Sequence, residues 1–268
     1  MLRLSKLHGL GNDFLVALES AQPGGAPLTP DADTARRMCD RHLGVGADGL
    51  LYGLDAGDGV GELRMVLLNA DGSEAEISGN GIRCLVQEHL RAAGRAEGTV
   101  DVQTAAGLRR VRTVRGDTNG ELWSEVNFGA PRPGPELTAV AVSTPARARA
   151  TVDLGNPHLV LLVDDPADLD VAVVGAELEA SFPDGINVHV VHVIDRSTVG
   201  LQVWERGVGI TQACGSGAVA TASAVHGWGL TEDRVTVRMP GGSAEVLLAG
   251  GTAVLCGPST FVAEVSVP

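Results

Sequence analysis

The sequence predicts an α/β chain built as two similar halves. Two observations carry this. Ser78-Gly79-Asn80-Gly81 and Cys214-Gly215-Ser216-Gly217 each join a small polar side chain to a Gly-x-Gly turn, and they lie about half the length of the 268-residue chain apart. Each turn opens an apolar, helix-like stretch with short strand-like runs on both sides. Each half therefore reads as strands, one central helix, then strands.

In the first half, Leu2 to His8 and Phe14 to Leu18 read as strands separated by the turn Gly9-Leu10-Gly11-Asn12. Thr29 to Arg41 reads as a helix with Thr29 as N-cap and Pro30 at its first position. Leu63 to Leu68 is a short apolar strand, ended by the turn Asn69-Ala70-Asp71-Gly72. Asn80 to Ala93 has helical periodicity through Ile82, Leu85, Val86, Leu90 and Ala93, with Gly94 as its stop. Thr99 to Gln103 and Leu108 to Val114 follow as strands.

In the second half, strand-like runs appear at Val152 to Leu154, Leu159 to Val163, Asn187 to Ile194 and Leu201 to Trp204. Gly215 to His226 is an alanine-rich helix ended near Gly227. Val235 to Arg238, Ala244 to Leu248 and Phe261 to Val267 close the chain. Both central helices are apolar nearly all round, which predicts burial against a sheet. The boundary between the halves is placed in the loop-rich stretch Arg115 to Gly120. Pro131 to Pro145, rich in proline and small residues, reads as an irregular excursion.

Hydrophobic residues at 44% and charged residues at 20% are those of a globular chain, and 268 residues suffice for one or two cores. A net charge of −13 argues against a nucleic-acid binder, because phosphate would be repelled. The N-terminal stretch is interrupted by Lys6, His8, Asn12 and Asp13, unlike a signal peptide, and no later run is long and apolar enough to cross a bilayer. A cytoplasmic enzyme is the expectation. The cysteines Cys39, Cys84, Cys214 and Cys256 are scattered without a C-x-x-C pair, which predicts neither a disulfide framework nor a metal site. Lys6 is the only lysine, and its place at the extreme N-terminus argues against pyridoxal phosphate, which needs a lysine for its Schiff base. No cofactor is expected.

The paired turns suggest proton chemistry at carbon. Two groups on opposite faces of one carbon are what a racemase or epimerase needs. Helix N-termini present free N–H groups and partial positive charge to an anion, so Gly79 to Gly81 and Gly215 to Gly217 could hold a substrate carboxylate. The same placement is expected to pull the Cys214 thiol towards thiolate. Cys84 and Cys256 read as inert core, and His189 and His192 as packing or surface residues in a strand. His158 could be a turn histidine, and Glu205-Arg206 an exposed ion pair.

Taken together, eight strings resemble the diaminopimelate epimerase family of cofactor-independent amino-acid racemases. They are His8-Gly9-Leu10-Gly11-Asn12-Asp13-Phe14, Arg41-His42-Leu43-Gly44-Val45-Gly46-Ala47-Asp48-Gly49, Asn69-Ala70-Asp71-Gly72-Ser73-Glu74, Gly79-Asn80-Gly81-Ile82-Arg83-Cys84, Gly155-Asn156-Pro157-His158, Trp204-Glu205-Arg206-Gly207, Thr211-Gln212-Ala213-Cys214-Gly215-Ser216-Gly217 and Met239-Pro240-Gly241-Gly242. They run in order along nearly the whole chain.

The resemblance implies two pseudo-two-fold-related halves, each a curved, barrel-like, mainly antiparallel sheet around a central helix, with the active site in the cleft between them. The expected halves are 1–118 and 119–261, with a final strand, 262–268, returning to the first. The implied reaction interconverts LL- and meso-diaminopimelate, in lysine biosynthesis, by two cysteines acting as thiolate base and thiol acid. Cys214 resembles the second cysteine. Gly79, Asn80, Gly215 and Ser216 would cradle the reacting carboxylate, and Asn12 and Glu205 would lie near the amino-acid head. Asn69, Asn156, Asn187 and Arg206 resemble the set that grips the distal end, and His158 and Glu205 would tune the acid/base pair. A homodimer is a further expectation from the family. The departure is Ser78, which stands where the family has its first cysteine; Gly49 also replaces a glutamine found in some members. The alternatives this leaves open are a related racemase, a hydroxy-amino-acid dehydratase and a catalytically impaired binding homologue.

Overall fold

Apolar residues alternating from Leu2 onward form the strand β1 (Leu2–Gly9). The two-residue loop Leu10-Gly11 reverses it into β2 (Asn12–Leu18), with Gly9 paired to Asn12. Both loop residues have positive φ, 56° and 81°, the geometry that matches the twist of a hairpin. Leucine rarely adopts it, and the strain is held by burial of the Leu10 side chain.

The computed structural model describes residues 1–57, 60–116 and 120–267. The chain divides into two units, Met1–Val126 with Gly257–Pro268, and Asn127–Cys256. The expected boundary between 118 and 119 falls outside the described residues.

After β2 come α1 (Ala32–Cys39), β3 (Gly49–Asp55), β4 (Leu63–Asn69), β5 (Glu74–Ala75), α2 (Gly79–Ala92), β6 (Thr99–Thr104), β7 (Gly107–Gly116) and β8 (Glu121–Gly129). There follow β9 (Arg132–Pro133), α3 (Ala139–Ser143), β10 (Ala148–Asp153), β11 (Pro157–Leu162), α4 (Val171–Ser181), β12 (Asn187–Asp195), β13 (Thr198–Glu205) and β14 (Gly209–Ile210). The chain ends with α5 (Gly215–Gly227), β15 (Arg234–Met239), β16 (Gly242–Ala249) and the long β17 (Thr252–Val267), which begins in the second unit and finishes in the first.

The first unit is a closed ring of eight strands in the order β1, β2, β3, β4, β6, β7, β8, β17, with β17 pairing back to β1. Two of its pairings, β2 with β3 and β4 with β6, are parallel. The helix α2 packs against β1, β2, β3, β4 and β7, and it is buried almost all round. Ile82, Leu85, Val86 and Leu90 are its main apolar contribution, and each fully buried side chain of this size stabilises by about 1.5–3 kcal/mol.

The second unit repeats this connectivity. Antiparallel β10–β11, parallel β11–β12, antiparallel β12–β13, parallel β13–β15 and antiparallel β15–β16 and β16–β17 follow in the same sequence. The helix α5 packs against β10, β11, β12, β13, β15 and β16, as α2 does in its own unit. The mixed, mainly antiparallel sheet around one buried helix is thus present in each unit.

Several elements differ from expectation. The helix α1 starts at Ala32, capped by Asp31, whose carboxylate accepts the Thr34 N–H at 2.8 Å; Thr29 and Pro30 lie before it. Aspartate caps more strongly than threonine, which explains the later start. The strand β3 was not anticipated because it does not alternate. Leu50, Tyr52 and Leu54 face a core with Ala35 and Cys39 of α1, while Gly53 packs against Leu85 of α2. Covered on both faces, it reads as an apolar run. The stretch Pro131 to Pro145 is more regular than expected, holding β9 and α3. Cys84 is fully buried, whereas Cys256 is only partly so. Among the described residues no helix is long and apolar enough to cross a membrane.

Candidate active site

The first turns of α2 and α5 are built alike, each within its own unit. Ser78 is the N-cap of α2, with φ −129° and ψ 122°, and its Oγ accepts the Gly81 N–H at 3.0 Å. Cys214 is the N-cap of α5, with φ −126° and ψ 115°, and its Sγ accepts the Gly217 N–H at 3.3 Å. Local chemistry dictates this. An extended residue with a short polar side chain satisfies a free N–H at a helix start, and the glycines that follow let the turn pack tightly.

In the first unit a polar chain runs away from this turn. Asn80, almost fully buried, donates from Nδ2 to Asn12 Oδ1 at 3.2 Å and accepts from Arg83 Nη2 at 2.7 Å. Arg83 is wholly buried and also donates to the carbonyls of Gly79 and Pro258. Asn12 Nδ2 donates to Asp48 Oδ2 at 2.8 Å. Arg41 bridges Asp48 and Asp13 at 2.7 Å each, and Lys6 reaches Asp13 at 2.9 Å. Burial would raise the Asp13 pKa, but Arg41 and Lys6 outweigh it and hold the carboxyl below its ordinary range. Asn69 sits beside this cluster, because the neighbouring Ala70 N–H donates to the Asp48 carbonyl; its own side chain is oriented by Ser73 Oγ. The unit therefore gathers Ser78, Gly79, Asn80, Asn12 and Asn69. Asp48, Arg41 and Arg83, which hold them, were not singled out in sequence, although all three lie inside the motif strings.

In the second unit Cys214 is 4% exposed. Ser216 Oγ lies 3.6 Å from its sulfur, and Gly215 is buried beside it. The Glu205 carboxylate accepts from Thr211 Oγ1 at 2.6 Å, and its charge acts on the thiol. The expected lowering of the Cys214 pKa is overturned. Burial pushes the thiol well above its ordinary range and the Glu205 charge pushes it further, while Ser216 and the Gly217 N–H pull it back only in part. The resting group is a thiol. Burial pushes the Cys84 thiol up to about 12.

The imidazole of His158 is fully buried. Its Nε2 lies 3.0 Å from Asn156 Oδ1 and its Nδ1 lies 2.9 Å from His189 Nε2. Burial holds His158 neutral, with its pKa well below the ordinary value, helped by His189 and Arg206. His189, read from sequence as packing or surface, is buried and takes part in this chain; burial lowers its pKa to about 3. Asn187 donates to the Pro157 carbonyl at 2.9 Å and accepts the Arg206 N–H at 3.1 Å. The Arg206 guanidinium reaches the Asp184 carbonyl. A cavity of about 330 Å³ opens beside Asn156, lined also by Pro133, Asp153, Phe182 and Asp184. All expected residues of this half thus lie in one unit around α5. Among the described residues no group of three or more His, Cys, Asp or Glu side chains could hold a metal ion.

Comparison with known proteins bears on the fold and the family. Among solved structures, a hydroxyproline epimerase from Agrobacterium vitis aligns over 99% of this chain and 90% of its own, with a TM-score of 0.70 and 19% identity. A phenazine biosynthesis protein from Bacillus anthracis covers 100% of this chain and 99% of its own, with a TM-score of 0.67 and 15% identity. These likenesses establish a shared fold. In sequence, a diaminopimelate epimerase of Synechocystis is 37% identical over 91% of this chain and 90% of its own length. One from Pseudomonas syringae pv. tomato is 36% identical over 98% of both. The family model described as diaminopimelate epimerase matches residues 4–132 and 150–262, and the chain belongs to the diaminopimelate epimerase family.

Proposed function

We propose that this enzyme exchanges and inverts the α-proton of diaminopimelate without a cofactor, with Cys214 as its one competent sulfur acid/base and Ser78 serving the opposite face. The observation that carries the reading is the matched pair of helix caps. Each places a proton-bearing atom against a helix N-terminus that can also bind a carboxylate. Family membership supplies the substrate class. The distal-end set, Asn69, Asn156, Asn187 and Arg206, is complete in the chain.

The α-proton is weakly acidic, so the carbanion must be stabilised as it forms. The N–H groups opening α2 and α5 would hold the reacting carboxylate, aided by Asn80 and Ser216. Cys214 must first become a thiolate. Glu205, whose charge acts on the thiol, would take the proton from sulfur, which leaves the net charge of the pair unchanged. The thiolate keeps the Gly217 N–H and the helix dipole, and it removes the α-proton. Reprotonation on the other face needs a donor at Ser78. A hydroxyl gives up its proton far less readily than a thiol, so a water oriented by Ser78 supplies it. Exchange on the Cys214 face therefore outruns inversion. The hydroxyl at position 78 is also what favours the second reading, a homologue that binds the substrate but turns it over poorly.

The test is Cys214→Ser. It should abolish α-proton exchange while diaminopimelate still binds. Undiminished exchange in this variant would remove Cys214 from the chemistry.

A further inference from the structure

The repeated connectivity lets each unit serve as the control for the other. Phe14 pairs with Gly49 and Val16 with Leu51 in the parallel strands β2 and β3. At the matching register of β11 and β12, His158 pairs with Asn187 and Val160 with His189. His158 thus stands where the first unit has Phe14, and His189 where it has Leu51. All four side chains are buried. The first unit fills these places with hydrocarbon, so the fold itself does not ask for imidazole there. The imidazole pair occurs in the unit that carries the thiol.

Its contacts say what it does. A Cβ added to Gly217 would lie 2.3 Å from His189 Cε1 and 2.8 Å from its Nε2, so the ring is packed directly on this residue. At the corresponding Gly81 the nearest atoms belong to Ser78 and Leu51, none closer than 3.1 Å. Gly217 is the residue whose N–H reaches Cys214 Sγ. The ring cannot rotate freely. With Asn156 Oδ1 as acceptor, His158 Nε2 carries the proton, so His158 Nδ1 accepts, and His189 Nε2 must donate to it.

We propose that His189 is a positioning residue for Cys214: locked through His158 to Asn156, its ring seats Gly217 so that the amide cap on the sulfur is held in place. The proposal deepens the proposed function and rests on it for its kinetic arm alone. Asn156, a candidate for gripping the distal end of the substrate, is thereby joined to the sulfur through two rings and one glycine.

The experiment compares His189→Leu with His189→Gln. Leucine copies the first unit's own solution and should fold. Glutamine places an amide N–H where the imidazole Nε2 donor was. Hydrogen exchange of the Gly217 amide, measured by NMR without substrate, should quicken about tenfold in His189→Leu, as for loss of one hydrogen bond's support, and stay near wild type in His189→Gln. On diaminopimelate, kcat should fall by about the same factor in His189→Leu with KM nearly unchanged, and recover in His189→Gln. Imidazole nitrogen shifts of the wild type should report a proton on Nε2 of both histidines. Unchanged Gly217 exchange in His189→Leu, equal damage in both variants, or a proton on His158 Nδ1 would overturn the proposal. If the wild type proves inactive on diaminopimelate, the functional reading fails, and the Gly217 exchange still decides this one.

Discussion

Replacing Ser78 separates its structural role from its chemical one. Ser78 Oγ satisfies the Gly81 N–H at 3.0 Å at the start of a 14-residue helix buried in its barrel. Ser78→Ala removes that cap at a cost of about 1 kcal/mol. For a chain of this size the melting temperature should fall by roughly 2–4 °C. Ser78→Cys should cost less, because the structure contains the thiol version of this cap: Cys214 Sγ accepts the Gly217 N–H at 3.3 Å with nearly the same backbone angles. A weaker but retained bond implies a loss of about 0.5 kcal/mol, a fraction of the cap's worth. Turnover should move the other way. A positioned general acid or base contributes about 10²–10⁴-fold, so supplying a competent thiol on the second face should raise inversion by at least about 10²-fold. Circular-dichroism melts together with stereoisomer interconversion followed by proton NMR measure both arms. A folded, substrate-binding Ser78→Cys protein with no gain in inversion would refute the reasoning, as would Ser78→Ala inverting as fast as the wild type.

Three further outcomes are expected. Gly217→Ala should be destabilising by about 1–3 kcal/mol because the new methyl meets the His189 ring, whereas Gly81→Ala, with looser neighbours, should change unfolding free energy by less than about 1 kcal/mol. Denaturant unfolding of the two variants checks this. Asp48→Ala frees the Asn12 amide and removes one of the two carboxylates that hold Arg41, so KM should rise severalfold more than kcat falls in steady-state kinetics. The buried histidines should make the fold acid-sensitive. Their folded pKa values lie below the unfolded value, His189 at about 3, so their contribution is complete above about pH 6.5 and is lost as pH falls below it. The slope approaches about 1.4 kcal/mol per pH unit per ring, and His158→Phe/His189→Leu should flatten urea-derived stability between pH 6.5 and 4 relative to the wild type.

The central helices were legible because their caps, glycine turns and apolar content lie in one stretch of chain. The repeat was legible because two such stretches recur at half-chain spacing. For β3 and His189 the deciding contact was distant in sequence. The strand β3 lost its alternation because α1 and α2 cover both faces. The helix α4 scatters its valines and alanines around the axis, burying Val171, Gly175 and Leu178, so no single apolar stripe marked it. β8 alternates cleanly with Leu122, Ser124, Val126 and Phe128 inward, a period of two that the reading left unassigned. For the candidate site, residue types and motif strings singled out Ser78, Cys214, Asn12 and Glu205. They did not predict the protonation of Cys214. The helix N-terminus alone argues for thiolate, but burial and the Glu205 carboxylate, known only once the fold is in hand, outweigh it. His189 was missed for a related reason: only the parallel register of β11 and β12 sets it against His158 and under Gly217.

The most direct test is proton NMR of LL- and meso-diaminopimelate, each incubated with the wild-type enzyme in deuterated water. The account predicts loss of the α-proton signal through Cys214, with the opposite stereoisomer appearing more slowly than exchange. No exchange from either isomer by a protein that binds them would contradict it. Inversion as fast as exchange would contradict the unequal roles assigned to Cys214 and Ser78.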